Sequence, residues 1–579
     1  MKKKLRITDL LTESSDFHLI MHGKMKIKSL HYFSVMCVLI TALFTVNSAN
    51  AQLKSLIEDF EGFADGQKSF EKEGLFSYGS IELKTIREKT KGFGYSGRRA
   101  MQVKWSGDEY FGGWGKGLGL FKHLNHETDH FNFYILNPVK NDKNTLRIII
   151  QDDDNHSGKF EEEHDDSWEY TLELKASDEW QLISVPLKDF ENANEGGDGI
   201  FNINYRGGML LGVVFDFPDI EQYSSHQKWY FDFLSFSNGK LPTGETIFHP
   251  HPADEDDFST LGAWTEKGLE GKISNIAEDF ENLFNCSEKE KKQLGVIHFF
   301  KPFAVDGGHV ENLYPDVKSI NTIVQAGYTP MITLETRFIG LEDESVQPNL
   351  YSIVEGHFDN FLSNWARQVS QIEGVVLLRI LHEFNGDWYP WSIAQNDRNP
   401  DLYIRAYRHI RNIFRNLGVD NVQFVWCPNS MSTPQEHWNY IMDAYPGDEY
   451  VDFVGLDVFN GAGQTGVPVW RSFRKETADI YYMLTQELPH KPLLLCETAS
   501  RERMNEEEGQ YFQSKAQWIE QMSEALTTDF SKFRLVVWFN QYEPFKVESS
   551  FESRMAFLKY IWENPHFQSG NRYFENSND

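Results

Sequence analysis

The stretch Arg379-Ile380-Leu381-His382-Glu383-Phe384-Asn385-Gly386-Asp387-Trp388-Tyr389-Pro390-Trp391 packs a guanidinium, an imidazole, a carboxylate, an amide and two indoles into one short segment. It follows the apolar run Val375-Val376-Leu377-Leu378, which reads as a buried parallel strand. A second carboxylate has the same setting in Lys491-Pro492-Leu493-Leu494-Leu495-Cys496-Glu497-Thr498-Ala499. Two glutamates at strand ends are the parts a glycosidase needs: an acid to protonate the leaving oxygen, and a carboxylate to trap an oxocarbenium-like carbon. His382 has no second His at i+4 and no Cys/His cluster nearby, so no metal is expected there; a supporting or sugar-binding role fits it better. That absence also counts against a metallohydrolase or phosphatase. His298, ending another apolar run, is a candidate for the same work, with a core histidine as the competing reading. Trp388, Trp391, Trp426 and Trp538 can stack on the C–H faces of pyranose rings, or simply pack the mouth of the fold.

These groups need a scaffold that brings strand ends together. From Leu261 the chain alternates strand and helix, with candidate strands Leu261–Thr265, Gly295–Phe300, Thr329–Glu335, Val375–Leu381, Val422–Cys427, Val451–Phe459, Pro492–Glu497 and Leu535–Asn540. Amphipathic stretches such as Phe358–Gln371, Leu402–Leu417 and Ala516–Leu526 lie between them. Eight such units predict an α/β fold, a (β/α)8 barrel over 258–570, with its site at the carboxyl ends of the strands. Glu383 then ends the fourth strand and Glu497 the seventh, facing each other across the mouth. Retention of configuration requires the two carboxyls about 5–5.5 Å apart. Alternation along the fourth strand points Arg379 and Glu383 inward together, and a buried Arg379 demands a counter-charge, which the strand-end glutamates can supply.

Residues 52–240 read differently. Short β-rich segments (Met101–Trp105, Phe131–Leu136, Leu146–Gln151, Trp168–Leu174, Trp180–Pro186, Gly208–Phe217 and Lys228–Phe236) separated by Gly, Asn and Asp predict an antiparallel β-sandwich of jelly-roll type. Residues 241–257, rich in Pro, His and acids, read as a linker. Residues 1–51 read as a leader and signal peptide: Lys26 and Lys28 precede an apolar run from Leu30 to Val46, and Ala49-Asn50-Ala51 offers a cleavage site. Met25 is the natural start of that signal, and no Cys follows it to carry a lipid. The expectation is a secreted, periplasmic or cell-surface monomer without a stable membrane anchor. A formal net charge of -30 argues against nucleic acid as a partner. Cys286, Cys427 and Cys496 match neither a zinc spacing nor a disulfide framework, and are read as packing.

The pattern H-E-x-N-G-x-W-x-x-W, with Arg379 three residues before its His, resembles glycoside hydrolase family 26. The likeness extends to Tyr445-Pro446-Gly447-Asp448-Glu449-Tyr450-Val451-Asp452, Leu495-Cys496-Glu497-Thr498 and Val537-Trp538-Phe539-Asn540. The resemblance implies a retaining (β/α)8 enzyme with Glu383 as acid/base and Glu497 as nucleophile, and with His382, Asn385 and Trp388 shaping the cleavage subsite. It implies a β-linked polysaccharide or oligosaccharide substrate, first a β-1,4-mannan, with mixed-linkage β-1,3-1,4-glucan and β-1,3-xylan as alternatives and no cofactor required. A non-catalytic glycan-binding barrel is the alternative of a different class, and the presence of both carboxylates counts against it. Asp457 matches the family, whereas Phe459 stands where a Tyr is frequent, so no phenol can bond the nucleophile from that position. The sandwich resembles carbohydrate-binding module family 11 through Leu56-Ile57-Glu58-Asp59-Phe60-Glu61-Gly62, Asp166-Ser167-Trp168-Glu169-Tyr170, Trp180–Phe190 and Tyr230-Phe231-Asp232. Related modules hold a structural Ca2+. The Asp152-Asp153-Asp154 run is a candidate ligand cluster, and an ordinary solvated loop is its competing reading.

Overall fold

The computed structural model describes residues 51–70, 73–87, 97–107, 109–141, 144–194, 196–223, 226–241, 258–268, 272–285, 291–305, 313–340, 347–462, 469–502 and 514–575. The leader and signal up to residue 50, the linker beyond Leu241, and Cys286 lie outside the described residues.

The N-terminal part is an antiparallel sandwich of two sheets. Its strands are β1 (Leu53–Glu58), β2 (Leu75–Gly79), β3 (Ile81–Arg87), β4 (Arg99–Trp105), β5 (Gly112–Leu120), β6 (His130–Leu136), β7 (Asn144–Asp152), β8 (Ser167–Leu174), β9 (Gln181–Pro186), β10 (Glu191–Asn192), β11 (Leu210–Asp216) and β12 (Lys228–Ser237). One sheet runs β3-β4-β12-β6-β9, with β1 also on β12, and the other runs β10-β8-β7-β11-β5-β2. Alternation fills the space between them. Trp114, Ile148, Ile150, Val213 and Phe215 of one sheet meet Val103, Phe131, Phe133, Trp229 and Phe231 of the other.

The C-terminal part closes as predicted. Parallel strands β13 (Ser259–Thr265), β14 (Val296–Val305), β15 (Thr329–Ile339), β16 (Val376–Ile380), β17 (Val422–Trp426), β18 (Phe453–Asn460), β19 (Leu493–Ser500) and β20 (Phe533–Asn540) pair in sequence, and β13 joins both β14 and β20. A short β21 (Phe567–Gln568) adds to β13. Around them lie α1 (Asn275–Glu281), α2 (Val317–Gln325), α3 (Leu350–Val354), α4 (Asp359–Val369), α5 (Pro400–Asn416), α6 (Phe473–Glu487), α7 (Lys515–Leu526) and α8 (Phe551–Phe557). Local signals set the starts of these helices. Asn399 caps Leu402 N ahead of Pro400, and Ser514 forms a capping box with Gln517.

The barrel interior is filled by Val296, Met331, Leu377, Val425, Cys427, Leu494, Cys496, Leu535 and Val537. Gly455 explains the two cysteines. A Cβ there would sit 2.7 Å from Cys496 Sγ and 2.9 Å from Cys427 Sγ, so the two sulfurs occupy the room that a side chain on β18 would need. Both thiols are free and buried, as packing residues should be.

The sandwich lies against α6. Leu56 N donates to Asp479 Oδ1 at 2.9 Å, Lys475 Nζ donates to Leu56 O at 2.6 Å, and Gln486 donates to Leu53 O at 2.8 Å. Lys122 pairs with Asp479, Ser472 Oγ donates to Asp59, and His123 stacks on Tyr440 with ring centroids 5.9 Å apart. A cavity of about 460 Å3 runs along this junction, lined among others by Lys54, Glu58, Lys116, Met431, Trp470 and Asp479. It is therefore an interdomain space and does not hold the two catalytic candidates. Among the described residues no helix is long and apolar enough to cross a membrane.

Candidate active site

Arg379 is the hub. It is fully buried in the barrel interior, where Nε donates to Thr333 Oγ1 at 2.8 Å and Nη1 to both oxygens of Asp457 at 2.7 and 2.6 Å. Nη2 donates to Glu497 Oε1. Burial disfavours the guanidinium charge, but Asp457 and Glu497 beside it more than offset that and hold Arg379 protonated. The expected counter-charge is thus Asp457 together with Glu497.

The turn that delivers Glu383 departs from simple alternation. β16 ends at Ile380, and Leu381 (φ 48°) and Glu383 (φ 50°) both take the left-handed conformation. Such residues cost of order 1–3 kcal/mol each and persist where surroundings over-determine them. Here Glu383 N is tied to Cys427 O at 2.8 Å and Gly386 N to Glu383 O at 2.9 Å. Glu383 therefore reaches the cleft by a tight turn rather than by continuing the pleat. Its Oε2 accepts from Trp388 Nε1 and its Oε1 from Asn429 Nδ2, both at 2.8 Å. Burial pushes its carboxyl upward, and the two neutral donors and Arg379 pull it back only in part.

Glu497 arrives by a different irregularity. Leu456 pairs with Leu495 but Asp457 with Glu497, so Cys496 is the extra residue of a bulge in β19. Cys496 stays in the interior and Glu497 is still aimed inward, as bulges beside functional sites commonly do. Burial and the neighbouring Glu383 push Glu497 up to about 7 against the pull of Arg379.

Supporting residues surround the pair. His298 Nε2 lies 2.8 Å from Thr333 Oγ1 and 4.0 Å from Glu497 Oε1. His382 Nε2 lies 3.3 Å from Tyr389 Oη, and its carbonyl accepts from Trp391 Nε1 at 2.7 Å. Burial, with Arg379 nearby, lowers both imidazoles well below the usual value, so both are neutral. Their Nδ1 atoms are buried without a protein partner. Asn385 works through Asn429: its amide bonds Asn429 N and O at 2.8 and 2.9 Å and so positions the side chain that touches Glu383. Trp388 is 45% exposed at the rim and is free to meet a sugar. Trp391 is fully buried, stacked on Tyr389 at 4.3 Å, and holds the wall rather than the ligand. Phe459 forms an aromatic edge with Phe539 and Phe545, and Glu497 takes its hydrogen bond from Arg379.

Two expectations are corrected. Trp426 packs on Phe384 and Tyr445, and Trp538 on Trp518 of α7 and Phe557 of α8. Val425 and Cys427, like Leu535 and Val537, face the barrel interior, so alternation turns both indoles outward into the helix layer. Neither can stack on a sugar in the cleft.

Glu335 was missed. It sits within β15, 3% exposed, paired with Arg337 at 2.7 Å and electrostatically coupled to Glu383. Arg337 in turn lies over the Tyr389 ring at 5.5 Å. The signal that singles out Glu497, a carboxylate closing an apolar strand, was equally present in Thr329–Glu335. Asn429 had no such signal, since it lies in an irregular segment after β17.

Residues 338–501 match the model described as glycosyl hydrolase family 26. The chain is 28% identical over 306 residues to Endoglucanase H of Acetivibrio thermocellus, covering 52% of this chain and 30% of that protein. It is 33% identical over 117 residues to a mannan endo-1,4-beta-mannosidase of Bacillus subtilis, covering 19% of this chain and 31% of that protein. The chain thus spans about a third of the length of these relatives. Among solved structures, GH26A from Muricauda sp. MAR_2010_75 aligns over 55% of this chain and 93% of its own, at 16% identity and a TM-score of 0.39. The segment 338–501 that matches glycosyl hydrolase family 26 holds both Glu383 and Glu497.

Proposed function

We propose that this chain is a retaining endo-β-glycanase in which Glu497 attacks the anomeric carbon and Glu383 serves as acid/base. The observation that carries the reading is the asymmetry between the two carboxyls. Glu497 rests on a guanidinium, whereas Glu383 is met by an indole N–H and an amide N–H. Two close buried carboxyls resist carrying two charges, so the pair holds one proton over part of the pH range. Burial raises both carboxyls, Glu497 to about 7, but only Glu497 has a cation to hold its charge, so the shared proton is assigned to Glu383 in the reacting pair. In the first step Glu383 protonates the leaving oxygen as Glu497 forms the glycosyl ester; in the second, Glu383 activates the water that cleaves it.

For the backbone sugar, the long alignment with an endoglucanase favours a β-glucan. The shorter, more identical alignments with mannosidases keep β-1,4-mannan as the second reading. Reducing-sugar release from galactomannan, barley β-glucan, lichenan and β-1,3-xylan, assayed side by side, decides between them. Glu383→Ala should hydrolyse aryl glycosides with good leaving groups far better than polymer, and azide should rescue it as a β-glycosyl azide. Uniform loss without rescue would assign Glu383 to binding, and an α-configured product from the wild type would overturn the double displacement.

The reading extends to the sandwich as a glycan-binding module. Phe76 is 43% exposed, and a Cβ on Gly115 would come within 2.6 Å of its ring. Tyr78 lies as closely over Gly113 and donates to Asp216 at 3.1 Å, while Arg147 bonds Asp216 at 2.6 Å and Glu169 at 3.3 Å. Flat rings beside fixed polar groups suit a sugar chain. Phe76→Ala together with Tyr78→Ala should abolish retardation in a polysaccharide gel without changing turnover.

A further inference from the structure

The cavity at the junction of sandwich and barrel takes no part in the proposed reaction. Its volume of about 460 Å3 nevertheless lies within the roughly 300–1,000 Å3 of ordinary ligand pockets, which favour domain interfaces. Its walls are fixed. Lys475, Asp479 and Gln486 of α6 line it and also bond the backbone of β1, so the two sides cannot part without breaking the junction. It is also separate from the ring-bearing face of the sandwich. Gly113 and Gly115 of β5 lie under Tyr78 and Phe76, and alternation turns Lys116 and Leu118 to the opposite side, where they line the cavity.

The lining decides what fits. Its cations are already engaged within the protein: Lys116 meets Glu58 at 2.7 Å, Lys54 meets Asp129 at 2.7 Å, Arg471 meets Glu476 at 3.3 Å and Lys122 meets Asp479, while Lys475 Nζ donates to Leu56 O. A charged ligand would have to displace one of these partners and bury the charge left behind. A wholly apolar ligand fails for another reason. Ser55 Oγ lies on the lining, in a residue 3% exposed, and has no hydrogen-bond partner, so hydrocarbon beside it would leave it orphaned. Asp479 also has bonding capacity to spare. Oδ1 takes only Leu56 N and Oδ2 only Lys122, and its side chain is 40% exposed beside the cavity.

Both demands are met by a neutral molecule that carries hydroxyls on an apolar frame. Its O–H groups can donate to the spare lone pairs of Asp479 and exchange bonds with Ser55. Its C–H faces can meet Phe63, Trp470, Ile480 and Met483. A short sugar chain has this chemistry.

We propose that the junction cavity is a second, non-catalytic site for a short neutral oligosaccharide, held between β1 and β5 of the sandwich and α6 of the barrel. That the oligosaccharide is β-linked rests on reading the chain as a β-glycanase; its neutrality and its hydroxyls follow from the lining alone. The test uses the full chain with Glu497→Ala, to prevent turnover, titrated calorimetrically with the β-1,4-linked trisaccharides of glucose and of mannose. Met483→Trp fills the cavity from α6 and should remove one equivalent of the trisaccharide that binds, whereas Phe76→Ala with Tyr78→Ala should leave that equivalent in place. Ser55→Ala should weaken it about fivefold, the loss of one hydrogen bond. A trimer of β-1,4-linked mannuronic acid, which is anionic, should not occupy it. Should Met483→Trp fail to fold, crystals of the Glu497→Ala chain soaked with the trisaccharide decide, with density expected between β1 and α6. No binding, sugar only in the cleft or on the sandwich face, or equal stoichiometry in folded Met483→Trp would overturn the assignment. The wild type tests the other reading separately. Failure to hydrolyse any of the four polysaccharides, with the junction equivalent intact, would sink the glycanase and leave this site standing.

Discussion

Arg379→Met is the most informative single perturbation of the cleft. Methionine keeps much of the volume and removes the charge, leaving Asp457 and Glu497 buried without their shared partner. Removing one member of a buried ion cluster costs about 3–5 kcal/mol. The loss must also depend on pH. Glu497 lies at about 7 against an ordinary 4.5, so folding favours its protonated form. Its contribution to stability is therefore full below about 4.5 and is lost as pH rises toward 7, worth ~3 kcal/mol at about 1.4 kcal/mol per pKa unit. Without Arg379 that window extends upward and Asp457 joins it. Thermal melts of wild type and variant should nearly coincide near pH 4 and diverge progressively toward pH 8. The acid limb of kcat/KM should climb by at least about one unit, and each unit removes about tenfold of the ionised nucleophile below it. Arg379→Lys restores the charge without the fork and should fall between the two. An unmoved acid limb, or a destabilisation equal at pH 4 and pH 8, would refute the role of Arg379 as the counter-charge.

Other substitutions test separate contacts. Trp388→Phe removes a donor that favours ionised Glu383, so the alkaline limb of the pH–rate profile should move to higher pH; a lower limb would contradict the bond. Trp426→Leu and Trp538→Leu should lower the melting temperature and leave KM unchanged, which oligosaccharide kinetics can check. Asn385→Ala should reduce kcat more than KM, because it frees Asn429 rather than a sugar contact, and a purely KM effect would place Asn385 on the ligand.

Much of the barrel was legible because buried parallel strands declare themselves as apolar runs, and all eight candidate strands lie within a few residues of the observed ones. The two indoles were misread although the same sequence held the answer. With Val425 and Cys427 inward, Trp426 has to point outward. Glu497 shows the opposite limit. Alternation from Cys496 would have turned it away from the axis, and only the bulge restores it. Bulges and left-handed residues such as Glu383 depend on the surrounding fold to pay their strain, so local sequence does not announce them. In the sandwich, β1, β2, β3, β5 and the two-residue β10 escaped notice. β5 is Gly-rich because the rings of Phe76 and Tyr78 lie over Gly115 and Gly113.

The junction between sandwich and barrel was hidden for a further reason. On α6, Lys475, Asp479 and Gln486 share one face, which reads as a solvated helix surface; in the fold that face bonds the backbone of β1 and the side chain of Lys122. Burial pushes Lys475 down to about 8, as expected of an ammonium held among protein groups. Removing residues 52–240 would return this face to water, where its polar groups find new partners, but would also uncover the apolar side chains of Met431, Ile480 and Met483 along the cavity. The isolated barrel should therefore melt at a lower temperature. Its chemistry should survive, because among the described residues the side chains that hydrogen-bond Glu383 or Glu497 (Arg379, Trp388 and Asn429) belong to the barrel. Turnover on soluble oligosaccharides within a few-fold of the full chain, with weaker retention on insoluble polysaccharide, is the expected pair of results. A barrel that remains folded by circular dichroism yet loses turnover would show that the sandwich reaches the cleft through the segment 430–440, which begins one residue beyond Asn429.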